Sequence, residues 1–377
     1  MHPRTLFRTP AGLVMSLFAG LSACDSGADQ TFPTEASSRQ SRPAVESSVI
    51  LDDVELRPGA TADIHVRIYR HGTQPCADPG RAALLVHGIN ATAASWEPLV
   101  EALLNGDPAR RLCRIAAVDQ AGHGSSSLPV GVSFGELMVE DYARTLLAVL
   151  ERLPALQIRP SILVGHSQGA GTIQAAQQMM LDAGTTLRTA FGIRDVVMLG
   201  VQGPRELRAA HLLPPGQVAA VIGAYLTTTP ERGTYVQGPP QLFQQLWFLT
   251  TALTYSMRTP SPQTIGSRGW NADAPLFATL QAAGLSGFDM PSIEPGIFAP
   301  RLGTTLFIVD FADDPWSLSD RAAEIYVYLT GDASLAGFST LTDPLGEAVH
   351  DYMITHPAEV RSGIPLPRSG SLHAANP

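Results

Sequence analysis

Lysine is absent from the sequence, so all 25 residues of the lysine and arginine class are arginine. Without lysine the chain cannot form a Schiff base with a carbonyl substrate, and it cannot build the lysine-containing phosphate loop of nucleotide hydrolases. Charged residues are also scarce, at 16% of the chain, and the net charge is −9. This balance argues against nucleic acid or an acidic membrane surface as the main partner. The histidines show no H-E-x-x-H pattern, so no metal site is predicted.

Cysteine is nearly as scarce: there are 3, and the first closes an N-terminal export signal. Two arginines precede an apolar run at 11–19, which is too short to cross a bilayer. The run leads into Leu21-Ser22-Ala23-Cys24, which resembles the bacterial lipobox, where the cysteine becomes the acylated first residue. We therefore expect a lipoprotein signal peptide at 1–23, lipidation of Cys24, and a lipid-anchored location in the bacterial cell envelope, on the periplasmic side of the inner or outer membrane. An ordinary signal peptide with a chance cysteine is the alternative.

The other two cysteines, Cys76 and Cys113, are predicted to form a disulfide. An exported chain with an even number of remaining thiols permits one bridge. Each cysteine precedes a predicted strand, at 82–86 and at 115–118. If these strands are adjacent and parallel, their starting ends lie close together. Two free thiols are the alternative outcome.

The pattern of apolar residues changes after an initial hairpin. Residues 49–57 and 62–70 alternate apolar and polar around Pro58-Gly59, which predicts two antiparallel strands. Later apolar runs are continuous, as in strands buried on both faces, and they alternate with helical segments. The predicted strands are 82–86, 115–118, 162–164, 196–199, 305–309 and 336–341, and the predicted helices are 96–104, 135–153, 169–183 and 319–330. This alternation predicts an α/β fold with a mostly parallel sheet and right-handed crossovers.

Two segments depart from this alternation. Residues 24–48 are rich in small and polar residues and nearly free of aromatics, which predicts a disordered tether. Residues 204–303 contain apolar helical stretches and proline-rich breaks but no convincing buried strand. We interpret this second segment as a helical cap inserted over the sheet. The predicted core is then 49–203 together with 304–377.

Reactive side chains follow the carboxyl ends of the predicted strands, where ligands bind in open α/β sheets. His87-Gly88 follows the first buried strand, D-x-x-G-H-G at 119–124 follows the next, and G-H-S-Q-G at 165–169 follows the third. Three aspartates lie within 310–314, after the strand that follows the insertion, and His350 comes after the last strand. A serine, an acid and a histidine in that order are what nucleophilic acyl transfer requires.

The G-H-S-Q-G segment resembles the G-x-S-x-G nucleophile elbow of the α/β-hydrolase family. The resemblance covers about residues 50–202 and 304–360, and it includes the H-G element, the D-x-x-G-H-G element and the order Ser, Asp, His. It implies the α/β-hydrolase fold, with a mostly parallel central sheet, helices on both faces and an inserted helical cap. It also implies a serine hydrolase that needs no cofactor.

The resemblance implies a role for each motif residue. Ser167 would be the nucleophile, and His350 would be the general base, because the segment after it is similar to the family's last segment. Val349 stands where the family usually has glycine. The backbone N–H groups of Ile89 and Gln168 would form the oxyanion hole, which would leave both side chains free to shape the pocket.

The acid of the triad is less sharply defined than the serine. Asp314 is favoured, because the family places its acid a few residues past the strand and often just before proline. The alternatives are Asp313, Asp310 and Glu206. His356, which precedes a proline at a predicted helix start, is the alternative base. Structural roles in turns are predicted for His87, Asp119 and His123.

These features predict an esterase- or lipase-like carboxylic-ester hydrolase that works through an acyl-enzyme. Its expected substrate is a small, moderately hydrophobic ester. Carbon–carbon bond hydrolases, perhydrolases and acyltransferases share the same framework and stay open as alternatives. The alternative outside enzymes is a catalytically silent, lipid-anchored binding protein, although such a protein would have no need for an intact set of serine, acid and histidine.

Overall fold

The computed structural model describes residues 44–70, 81–88, 91–105, 112–132, 137–201, 292–312, 319–342 and 356–364, with residues 203–204, 207, 353 and 366 between and after these ranges. The predicted signal peptide, Cys24, most of the tether and most of the insertion lie outside the described residues. Within the described part, no helix combines the length and hydrophobicity that crossing a bilayer requires.

Eight strands form a single sheet, in the order β1-β2-β4-β3-β5-β6-β7-β8. Their bounds are β1 (Ala44–Arg57), β2 (Ala60–Arg70), β3 (Ala82–Val86), β4 (Arg114–Val118), β5 (Pro160–His166), β6 (Asp195–Leu199), β7 (Thr305–Phe311) and β8 (Phe338–Leu341). The pairings of β1 with β2 and of β2 with β4 are antiparallel, and the other neighbouring pairs are parallel. The predicted hairpin and the mostly parallel sheet are thus confirmed.

Helices cover both faces of this sheet. The α-helices of the described residues are α1 (Glu97–Asn105), α2 (Val139–Arg152), α3 (Gln168–Asp182), α4 (Leu187–Phe191), α5 (Ser319–Thr330) and α6 (Pro357–Gly363). Helices α2 to α5 pack on one face, and α1 and α6 pack on the other. Along β3, Leu84 and Val86 face the first group while Ala83 and Leu85 face the second. Burial on both sides explains why the central strands are continuous apolar runs.

Two elements begin four or five residues away from their predicted starts, each for a local reason. β1 begins at Ala44 rather than at 49, so the end of the predicted tether belongs to a strand. The added residues pair through their backbone with the last part of β2, which requires no apolar side chains and so leaves no hydrophobic pattern. α2 begins at Val139 rather than at 135, because the Asp141 carboxylate accepts a 2.7 Å hydrogen bond from the Met138 N–H and closes the first turn there.

The last residues of the predicted insertion, 292–303, pack on the core helices. The Gly296 N–H donates to the Tyr328 carbonyl in α5 (2.8 Å), and the Gln177 amide in α3 donates to the Ile297 carbonyl (2.8 Å). Phe298 is buried in the same cluster as these two helices. Residues 292–303 are therefore part of the packed core before the strand β7 begins.

Cys113 lies where the disulfide prediction places it, beside the start of β3. β3 and β4 are adjacent and parallel, and the Cys113 N–H donates to the Arg81 carbonyl (2.8 Å). Cys113 is disulfide-bonded. Cys76 lies outside the described residues, so its pairing with Cys113 stays a prediction.

Candidate active site

Ser167 lies in the turn between β5 and α3, and its backbone has φ 52° and ψ −117°. Residues with a side chain rarely adopt a positive φ, and such strain persists only where the surroundings hold it. Here the Ser167 N–H donates to the Leu199 carbonyl at the end of β6 (2.9 Å), and the Ser167 carbonyl accepts from the Ala170 N–H (3.0 Å). The strained serine is therefore fixed from both sides.

The glycines that flank Ser167 are required by close approach of the backbone. A Cβ on Gly169 would lie 2.1 Å from the Val86 carbonyl oxygen, at the end of the neighbouring strand β3. A Cβ on Gly165 would lie 2.7 Å from the Ala170 nitrogen. Because these neighbours are main-chain atoms, they cannot rotate away. The spacing G-x-S-x-G thus follows from a helix that packs directly against the strands beneath it.

The H-G element after β3 lies against the nucleophile. A Cβ on Gly88 would be 2.9 Å from the Ser167 Cβ, so only glycine fits at this point of contact. Ile89, predicted to give one oxyanion N–H, is the next residue along the chain but lies outside the described residues. Its role stays a prediction.

Gln168, the other predicted oxyanion donor, is the first residue of α3. α3 has 15 residues and no acidic side chain in its first turn, so the partial positive charge of its N-terminus is not neutralised locally. The side chain of Gln168 is fully buried. The role of Gln168 as an oxyanion donor and the expectation that its side chain shapes the pocket both stay predictions.

Of the candidate acids, Asp310 is the one in the described part of the chain, and it is fully buried near the carboxyl end of β7. The registers align His166 with Leu199 and Leu199 with Val309. Ser167 and Asp310 each come one residue after this row. Because β6 lies between β5 and β7, the backbones at Ser167 and Asp310 are separated by two strand spacings, or roughly 10 Å. Asp313, Asp314 and Glu206 lie outside the described residues, so Asp314 stays the predicted acid.

Of the two candidate bases, His350 lies outside the described residues and His356 lies within them. His356 precedes α6, and its carbonyl accepts from the Val360 N–H (3.2 Å). The predicted helix start at Pro357 is confirmed. The assignment of His350 as the base stays a prediction.

The turn histidines near the elbow are structural, as predicted. Nδ1 of His87 donates to the Gly88 carbonyl (2.6 Å), and Nε2 accepts from the Gln120 N–H (3.0 Å). Burial lowers the pKa of His87. His123 packs against it with ring centroids 5.1 Å apart, and burial lowers the pKa of His123 to about 3. Both rings are therefore neutral at pH 7.

Asp119 connects the D-x-x-G-H-G turn to neighbouring segments. Its carboxylate accepts from the N–H groups of Ala93 (2.6 Å) and Ser125 (2.9 Å) and from Nδ1 of His65 (2.7 Å). Burial acts to raise the pKa of Asp119, but these hydrogen bonds and the nearby His87 outweigh it and leave the pKa below its ordinary value. A Cβ on Gly124 would lie 2.3 Å from this carboxylate, which explains that glycine. The predicted structural role of Asp119 is confirmed.

Sequence reasoning did not single out His65, the partner of Asp119 on β2. The alternation of apolar residues assigns His65 to the polar side of the hairpin, yet its side chain is only 7% exposed. The one available signal was a histidine within an otherwise apolar stretch, I-H-V-R-I, in a strand next to the D-x-x-G-H-G strand.

Comparisons with known proteins agree with this architecture. The family model described as "Alpha/beta hydrolase family" matches residues 83–362. A comparison with curated proteins finds no match.

Solved structures with a similar fold include a hydrolase from Pseudomonas aeruginosa, with 15% identity, a TM-score of 0.48, and coverage of 85% of this chain and 97% of that one. An esterase from Thermogutta terrifontis has 17% identity, a TM-score of 0.45, and coverage of 84% and 96%. A membrane phospholipase A described as a bacterial virulence factor has 16% identity, a TM-score of 0.48, and coverage of 84% and 83%. Likenesses at this level say nothing about the activity of this chain.

Proposed function

Because the chain belongs to the alpha/beta hydrolase family, we propose that it is a serine hydrolase that cleaves carboxylic esters through an acyl-enzyme. The observation that supports this most directly is the backbone of Ser167, held at φ 52° between β5 and the N-terminus of α3. A protein with no use for a hydroxyl at this turn would gain stability by replacing the serine with glycine. The strain therefore favours a chemical role for Ser167.

In the proposed mechanism, the Ser167 hydroxyl attacks the ester carbonyl carbon while His350 takes its proton. Asp314 holds the His350 imidazole in the correct tautomer and stabilises its protonated form. The backbone N–H groups of Gln168 and Ile89 stabilise the oxyanion, and the N-terminus of α3 adds a partial positive charge. His350 then protonates the departing alkoxide. Water, activated by the same histidine, releases the acid from Ser167 in a second step.

The proposed substrates are small, moderately hydrophobic esters, and the proposed location is the bacterial cell envelope. The location rests on the segment Leu21–Cys24, and it is tested by the mass of the mature N-terminus. An N-terminal Cys24 that carries acyl chains, and that a Cys24→Ser variant lacks, is the expected result. A mature chain that begins elsewhere, without lipid, would remove the anchor from the proposal.

The activity is tested by turnover of p-nitrophenyl esters of graded acyl length, together with intact-mass labelling by a fluorophosphonate. We expect turnover and a rapid adduct on Ser167, and a loss of turnover of at least about 10⁴-fold in Ser167→Ala and in His350→Ala. A folded wild-type protein with neither turnover nor an adduct on Ser167 would instead favour a silent binding protein.

The acid is tested by three matched variants, Asp310→Asn, Asp313→Asn and Asp314→Asn. Loss of the triad acid leaves the geometry in place but costs about 10⁴-fold in kcat, because the histidine takes the wrong tautomer. We expect this loss for Asp314→Asn alone, with thermal unfolding near that of the wild type. A loss of that size in either of the other two variants would transfer the role.

A further inference from the structure

A second hydrogen-bonded array of serine, histidine and aspartate lies away from the elbow, where β1, β2 and the end of β4 meet. The Ser48 hydroxyl on β1 hydrogen-bonds Nε2 of His65 on β2. Nδ1 of the same ring contacts the Asp119 carboxylate at 2.7 Å. The order of contacts, hydroxyl to imidazole to carboxylate, is that of a charge-stabilised general base. β4 and β3 separate β2 from β5, so this array is distinct from Ser167.

The backbone holds the histidine of this array rigidly. The His65 N–H donates to the Ser126 hydroxyl (2.8 Å), and the His65 carbonyl accepts from the Asp119 N–H (2.9 Å). The Ser126 hydroxyl in turn donates to the Asp119 carbonyl (2.6 Å). The imidazole is therefore fixed through its main chain as well as through its ring. A base held in this way is already in position for proton transfer.

The carboxylate sets the tautomer of the ring. Asp119 accepts three N–H groups, from Ala93, Ser125 and His65, which is the environment of an ionised carboxylate. Nδ1 of His65 is then the protonated nitrogen, and Nε2 presents its lone pair to Ser48. The His65 and Asp119 side chains are 7% and 4% exposed, while Ser48 is exposed. Ser48 is thus the residue of the array that meets the solvent.

We propose that Ser48 is a second nucleophilic serine, which accepts acyl or phosphonyl groups from activated electrophiles with His65 as its base. Attack by Oγ forms a bond to the carbonyl carbon or to phosphorus, and the bond from that atom to the leaving group breaks. The proton of the Ser48 hydroxyl passes to Nε2 of His65 and then to the leaving alkoxide or to solvent. Ser48 is left carrying the group as an ester.

The size of the effect follows from general-base catalysis, which contributes about 10²–10⁴-fold. Ser362 provides the matched comparison within the same chain. It is also exposed, but its hydroxyl donates to the Glu359 carbonyl (2.6 Å), which cannot take its proton. Modification of Ser48 should therefore exceed that of Ser362 by about 10²–10⁴-fold.

The test uses the full chain with Ser167→Ala, so that the elbow cannot contribute. A fluorophosphonate is added in excess, and the adducts on each serine are followed in time by peptide mapping. We expect Ser48 to be modified first. We expect His65→Asn, whose amide nitrogen can replace Nδ1 as a donor to Asp119 but which carries no base, to bring the rate at Ser48 down to that of Ser362. Equal rates at Ser48 and Ser362 before the second substitution would overturn the proposal.

A second pair of variants covers the case in which His65→Asn does not fold. Ser48→Cys and Ser362→Cys are each made with His65 intact and are alkylated with iodoacetamide at pH 7. A thiol beside the imidazole is more fully ionised and should react at least about 10-fold faster than the thiol at 362. Equal rates would refute the role of His65. Because Ser167 is absent from the first test, labelling of Ser48 can succeed even if the proposed ester hydrolase activity fails, and the reverse also holds.

Discussion

Replacement of Gly169 by alanine should impair both folding and chemistry, because the added methyl group meets the main chain of β3. The new Cβ would lie 2.1 Å from the Val86 carbonyl oxygen, 2.7 Å from the Val86 carbonyl carbon and 2.8 Å from the His87 carbonyl oxygen. Overpacking of a well-packed core costs about 1–3 kcal/mol, and we expect the upper end here, because a central strand cannot rotate out of the way. The gain from reduced freedom of the unfolded chain offsets only about 0.4–1 kcal/mol.

The lost stability should appear as a lower melting temperature, by about 3 °C for a chain of this size. The start of α3 must also shift away from β3, and Ser167 shifts with it. A displacement of about 1 Å at a catalytic group costs about 100-fold in rate. The assays are thermal unfolding and the turnover of a p-nitrophenyl ester.

Gly184→Ala, at the other end of the same helix, is the matched control. Gly184 has φ +75° but nothing within 4 Å of an added Cβ, so this variant adds backbone strain without a clash. We expect a loss of about 1 kcal/mol with unchanged kcat. If Gly169→Ala kept the wild-type melting temperature and turnover, the reasoning from close backbone contact would be refuted.

Three further predictions follow from the described residues. Ser167→Gly should be more stable than Ser167→Ala by about 1 kcal/mol in urea unfolding, because glycine relieves the positive φ, and equal midpoints would mean that the turn stores no strain. Stability should fall as the pH drops below about 6.5, because the unfolded chain takes up a proton that His123, with its pKa lowered to about 3, refuses. The slope from His123 approaches about 1.4 kcal/mol per pH unit, and the lowered pKa of His87 adds in the same direction. Urea midpoints at pH 7.5 and 5.5 measure this slope, and His123→Phe should reduce it; an unchanged slope in that variant would contradict the prediction. Peptide mapping without reductant should find Cys113 linked to Cys76, and a different partner would end the predicted pairing.

The strands, most of the helices and the elbow could be predicted from the sequence because each leaves a local pattern. A strand buried on two faces needs a continuous apolar run, as at 82–86, and a helix such as α5 needs an apolar stripe. Gly165 follows from a contact with the start of the next element, α3, and Gly169 belongs to the same G-x-S-x-G motif. Such signals lie within a few residues of the feature that they specify.

The array of Ser48, His65 and Asp119 shows why other features could not be predicted. Its members come from three segments far apart in sequence, and none shares a motif with another. Ser48 even fell in the predicted tether, because backbone pairing at the start of β1 imposes no apolar pattern.

The connection between β6 and β7 begins and ends on elements that hold the nucleophile in place. The chain leaves the sheet beside the nucleophile, because the carbonyl of Leu199 is the acceptor for the Ser167 N–H, and it returns through 292–303, which is bonded to α3 and α5. Both ends of the intervening stretch are thus fastened to the scaffold that orients the serine. We expect that residues 208–291 can be exchanged for the corresponding stretch of another member of the family without rebuilding the elbow. We expect such an exchange to change the substrates that the protein accepts and to leave the reaction at Ser167 unchanged.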